Sequence, residues 1–208
     1  MAIDAQEIGG VLSALQQHVH GGQGKALPGH AFVGAIFLFA GSLLVAELLA
    51  GPVSRRHRAM TLVWPAALFG SGIGMLLVTL LQPTEKPLHL TLAVLLLMVS
   101  YFEAQYRQGY ISRQAADTFQ IPALIVGGFV IGPMHANGPM LDSAITQAHL
   151  LVGVVSWTLA AVKLAQLGAS ASATVPLSLR VGLDYSFGFG VMALGFSLLL
   201  VQQFHGAH

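Results

Sequence analysis

The chain has no cysteine and very little charge. The first absence excludes disulfides, thiolate metal centres, iron–sulfur clusters and thioether-attached haem. The second decides more. Asp, Glu, Lys and Arg together make up 8% of the 208 residues, against about 25% in an ordinary soluble domain. Hydrophobic residues reach 55% and mean hydropathy is +0.73, so the chain cannot dress itself in a water-facing surface and belongs in a lipid bilayer. A net charge of +1, with no basic stripe carrying interleaved aromatics, excludes nucleic acid as a partner. There is also no nucleophile–base set, acid pair or phosphate-cradling loop. An electron-transfer or accessory subunit is therefore expected ahead of an independent enzyme.

What the chain does have is histidine: nine residues, as many as Lys and Arg combined. Their meaning depends on where they fall. Six apolar stretches, about 30–50, 61–82, 88–104, 119–136, 146–168 and 182–204, approach the roughly 20 residues that a helix needs to cross a bilayer. Polar breaks with Pro or Gly separate them, and none alternates with the period of two that a barrel strand requires. The expected fold is an all-α membrane protein, with residues 1–28 as an extracytoplasmic tail and 29–208 as a six-helix transmembrane bundle. In the tail, Ile8, Val11, Leu12 and Leu15 share one helical face, which suits a short helix lying in the interface. Asp4 and Glu7 stand where a signal peptide would be basic.

Six spans sort the connections onto two sides. Arg55, Arg56, Arg58, Arg107, Arg113, Lys163 and Arg180 gather on one, against Lys25 and Lys86 on the other. Positive residues favour the cytoplasm, so both termini are expected outside, across a bacterial inner (plasma) membrane. Eight histidines fall on the extracytoplasmic side and only His57 among the arginines. Glu47, Glu103, Lys163 and Asp184 lie toward the cytoplasmic end, where Glu103 and Arg107, four apart, can pair and Lys163 is expected to snorkel or pair. Tyr101, Phe102, Tyr106 and Tyr110 read as an aromatic belt.

A repeat links the spans. His30-Ala31-Phe32-Val33-Gly34 matches His149-Leu150-Leu151-Val152-Gly153 at an offset of 119 residues. Phe69-Gly70-Ser71-Gly72 matches Phe187-Gly188-Phe189-Gly190 at 118, and His89 opens the third span at nearly half that distance. The pattern suggests three pseudo-repeated helical hairpins. The glycines of the second motif are expected to allow close helix packing.

In the first motif glycine lies one turn from histidine on the same face, about 6 Å along the axis. An imidazole with a small residue beside it suits a flat macrocycle lying against a helix. His30 and His149, with Gly34 and Gly153, are therefore the expected axial pair of a haem b, held by histidine alone. His89 and His135 fall at similar depth. They are candidates for a second haem, for hydrogen bonds to a quinone or to propionates, or for a copper or zinc site shared with His30 and His149. A lone interfacial histidine is more often just an amphipathic anchor; the one-sided grouping raises these above it.

In helix number and histidine placement the chain resembles small membrane cytochromes b and, more distantly, polytopic copper-resistance proteins. It departs from two-haem cytochromes in lacking paired histidines on both faces, and no residue role is carried over. Three functions are expected, in this order. The first is a cytochrome b-like redox subunit passing electrons between an exported partner or quinone and a respiratory complex. The second is a cofactor-free accessory or scaffold subunit among other membrane subunits. The third is a copper- or zinc-handling membrane protein.

Overall fold

The computed structural model describes residues 29–50, 61–81, 86–133, 144–172 and 174–205. Six helices account for nearly all of them: α1 Gly29–Ala50, α2 Val63–Leu81, α3 Lys86–Arg107, α4 Arg113–Ile131, α5 Ala144–Ala171 and α6 Leu177–His205. Each is long and apolar enough to cross a membrane, and no strand occurs among the described residues. The expected interfacial helix in 1–28, His18, His20, His57, His135 and His208 all lie outside the described residues.

Every helix packs on its neighbours in sequence, and α6 returns to α1. The six therefore close a ring. Large apolar side chains such as Phe39, Leu80 and Phe196 face outward, exposed, as lipid requires. Val33, Phe37, Trp64, Leu159, Val191 and Val201 are buried within.

Lipid tails are as apolar as leucine, so helices there associate through close packing rather than the hydrophobic effect. Glycine supplies the closeness. Along α1 and α6, Gly34 and Gly41 meet Gly195 and Gly188, two turns apart on each helix. A Cβ on Gly195 would lie 2.6 Å from the Gly34 oxygen, and one on Gly41 would lie 2.9 Å from the Gly188 oxygen. A second seam joins α4 to α5, where a Cβ on Gly153 would lie 2.9 Å from the Gly128 oxygen. Trp157 Nε1 donates to the Ile125 oxygen beside it at 3.2 Å. Elsewhere a buried Ser100 hydroxyl on α3 donates to the Pro65 oxygen of α2 at 2.8 Å.

The fourth span starts earlier than the hydropathy pattern places it. Ser112 caps α4, its hydroxyl accepting from the Ala115 amide at 3.1 Å, so Arg113 and Asp117 are already helical. Their charges are matched across the ring, which lets the helix carry them. The second repeated motif does not occupy equivalent surroundings in its two copies. Phe69 faces outward and Phe187 is buried; Gly188 presses on Val45, whereas Gly70 has almost open space.

The seams make a testable contrast. Gly195→Ala puts a methyl against backbone that cannot yield, and will cost about 1–3 kcal/mol, the usual penalty for overpacking. Gly182→Ala meets nothing within 4 Å and will unfold at or above the wild-type temperature. Thermal unfolding in detergent checks both; equal Tm values would contradict the glycine seam.

Candidate functional site

Among the described residues, two cavities of opposite character stand out in the ring. One is apolar, about 120 Å³, and receives side chains from all six helices. On α3 its wall runs from His89 to Val99, ten residues or about 15 Å along the bundle axis. Phe37, Leu92, Leu96 and Leu198 form much of the wall, and His30, His89, His149, Gln120 and Ser156 are its polar members.

His30 and His149 meet directly. Their ring centroids are 5.6 Å apart and their planes 81° to one another. The helices that bear them, α1 and α5, are the two neighbours of α6. His30 stands one turn beyond the Gly34–Gly195 contact, and His149 one turn before the Gly153–Gly128 contact. Both seams therefore position the pair. His149 is 4% exposed and His89 6%; His30 is partly exposed. His89 lines the same cavity from α3.

Gly34 and Gly153 do not line this cavity. A Cβ on Gly34 would strike the Gly195 oxygen and Leu199, and one on Gly153 would strike Gly128 and Gly132. The glycine that does open onto the cavity is Gly127 of α4, where an added Cβ meets only Leu92 at 3.7 Å. A position four residues past a histidine lies on the same face in projection. Here, however, that face is shared between the interior and the next helix.

The second cavity, about 310 Å³, lies at the opposite end of the ring. Four carboxylates line it, Glu47, Glu103, Asp117 and Asp184, with Arg107, Arg113 and Lys163. Arg107 Nε donates to Glu103 at 2.9 Å and Arg107 Nη1 approaches Glu47 at 3.4 Å. Arg113 reaches Asp184 at 3.2 Å and Asp117 at 3.7 Å. Lys163 Nζ donates to Asp117 Oδ1 at 3.0 Å and lies 4.4 Å from the centroid of the Phe187 ring. Lys163 is 6% exposed and Asp117 1%, so this pair lies inside the ring and Lys163 does not snorkel outward. The expected Glu103–Arg107 pair is present.

Trp64 and Phe187 line both cavities, their rings 6.0 Å apart at 88°. They form the partition. Gln120 belongs to the histidine cavity, yet lies three residues, one turn, from Asp117 on α4. Sequence reasoning missed Asp117, Gln120 and Trp64. The polar pair Asp117 and Gln120 at helical spacing, entering an apolar helix, was the available signal.

Among the described residues, no three of His, Asp and Glu are grouped so as to hold a metal ion. His135, the fourth histidine of the expected set, lies outside the described residues. No family model, curated protein or solved structure matches the chain.

The buried ion pair can be weighed directly. Lys163→Met alone leaves Asp117 buried with only the more distant Arg113, and Asp117→Leu alone strands the ammonium; each will cost about 3–5 kcal/mol. The double change Asp117→Leu with Lys163→Met will recover most of that loss. Thermal unfolding of the four proteins checks the cycle, and additive losses would refute the pairing.

Proposed function

We propose that the chain is a cytochrome b-like subunit that binds haem b inside the ring through His30 and His149, with His89 lining the same cavity. The reading is carried by one observation: two imidazoles far apart in sequence and on helices that flank α6 stand 5.6 Å apart between ring centroids. Iron bound between two imidazoles, with each metal–nitrogen bond about 2 Å as in other imidazole sites, needs a separation only slightly larger than this. Gly127 offers the flat face that Gly34 and Gly153 do not. Apart from Gln120 and Ser156 the wall is otherwise apolar, mostly aliphatic and aromatic, which suits a macrocycle whose potential is tuned by a low-dielectric surround. At about 120 Å³ the cavity takes a macrocycle only if flexible side chains such as Leu92, Leu95 and Met75 repack around it.

In this reading the histidine end faces the exterior of a bacterial inner membrane and the charged end the cytoplasm, following the distribution of Arg and Lys. Both termini are then extracytoplasmic, and the bundle consists of three pseudo-repeated hairpins. Haem near the outer face exchanges electrons with an exported redox protein or quinone, within a larger respiratory assembly. A single haem near one face does not carry electrons across the membrane. A copper or zinc site has no support from the described histidines.

The cavity's size favours a second reading in the same space. A cavity of 150 Å³ accepts a single aromatic ring, and imidazoles with Gln120 offer hydrogen-bonding partners to the carbonyls of a quinone head.

An absorption spectrum of the purified protein decides between them. A Soret band is expected, absent from His30→Ala and from His149→Ala and retained in His89→Ala. Gly127→Leu, whose Cβ meets only the Leu92 side chain, will also lose the band while keeping its helical circular dichroism. A Soret band that survives both His30→Ala and His149→Ala overturns the ligand assignment. A colourless protein whose organic extract contains stoichiometric quinone favours the second reading. A colourless protein lacking quinone refutes both.

A further inference from the structure

The charged end contains groups that the haem reading does not use. All three cations lining the cavity are already matched to carboxylates at 2.9–3.2 Å, and the four carboxylates of the lining against its three cations leave one negative charge there. Besides Arg180 Nε, a donor outside the cavity lining, three buried atoms near this end make no hydrogen bond: Asp117 Oδ2, Gln166 Oε1 and Gln120 Oε1. The residues that carry them are 1%, 6% and 3% exposed. All three atoms are acceptors. Gln166 anchors its amide nitrogen on Asp184 at 3.0 Å and on the Leu183 oxygen at 3.2 Å, so its oxygen is held where it is.

An unmet buried acceptor is costly, and water is the donor that relieves it in roomy polar sites. The 310 Å³ cavity has that room. The unmet oxygens also follow an order: Gln166 and Asp117 line the charged cavity, and Gln120 stands one turn further along α4 at the wall of the histidine cavity. From Arg113 at the start of α4 to Gln120 is about 10 Å. Beyond it the walls are almost wholly apolar.

We propose that the charged end is a water-filled, cation-selective vestibule that conducts protons inward as far as Gln120 and stops at the Trp64–Phe187 partition. Acceptors without donors, a residual negative charge and fully matched cations favour hydronium and small cations over anions. The vestibule is a half-channel: it brings protons to the edge of the histidine cavity without making a path across the membrane. Proton transfer along it makes and breaks only O–H bonds, from bulk water through water held by these oxygens. The inference does not depend on what the histidine cavity binds.

The natural absence of cysteine makes the test direct, because any introduced thiol is the only one. Gln166→Cys, Gln120→Cys, Leu92→Cys and the lipid-facing Val94→Cys are reconstituted in phosphatidylcholine vesicles. Each is exposed, from one side at a time, to silver ion and to cationic or anionic methanethiosulfonates. Silver ion is expected to modify Gln166→Cys and Gln120→Cys from the charged end only, and to leave Leu92→Cys and Val94→Cys unmodified. The cationic reagent will modify Gln166→Cys about tenfold faster than the anionic one, the scale of local field focusing in a charged cleft. Glu47→Gln will reduce that preference. Should Gln120→Cys fail to fold, Gln166→Cys carries the decision. Modification of Gln166→Cys no faster than Leu92→Cys, equal access from both sides, or an anionic preference overturns the proposal.

Discussion

Everything in this ring depends on how closely backbones approach at two glycine seams. In water the apolar effect would hold six greasy helices together whatever their detail. In lipid that force is missing between helices, and van der Waals contact has to replace it. Gly34 against Gly195, Gly41 against Gly188 and Gly153 against Gly128 give contacts in which a single methyl would overlap backbone atoms. The same contacts set the depth and facing of the residues one turn away. His30 and His149 are the neighbours of these seams, and their meeting is a by-product of how the seams close.

The two ends of the ring solve different electrostatic problems. At the histidine end the polar groups are few and neutral imidazoles can sit among leucines at modest cost. At the other end full charges enter the helices, and they do so only in partnership. Asp117 serves Lys163 and Arg113 together, and Asp184 serves Arg113 and Gln166. An ion pair taken out of water is rarely a source of net stability, so the network's members chiefly offset one another's burial. The partition between the ends is built from Trp64 and Phe187, with Lys163 resting on the face of the latter.

The helices were legible in the sequence because crossing a bilayer demands about 20 apolar residues and little else satisfies that demand. The shared motif and common depth of His30 and His149 marked both as candidates, but that their rings meet is read from the structure. Less legible was which face each neighbour takes. Gly34 and Gly153 share a turn with the histidines, but ring closure gives them to adjacent helices, and the cavity-facing glycine is Gly127, which no motif marks. Asp117 and Gln120 were hidden for another reason. A hydropathy window weighs each residue alone, so a carboxylate neutralised by Lys163, 46 positions away, reads as the flank of a span rather than its first turns.

Trp64 stands at the meeting point of both cavities, and the chain has only one other tryptophan, Trp157 on the α4–α5 seam. Indole emission depends on the polarity and the energy acceptors around the ring. The partition residue is therefore also a native optical reporter. Water rising from the charged side would shift its colour, and a pigment seated beneath the histidines would darken it, so a single unlabelled protein can register both events.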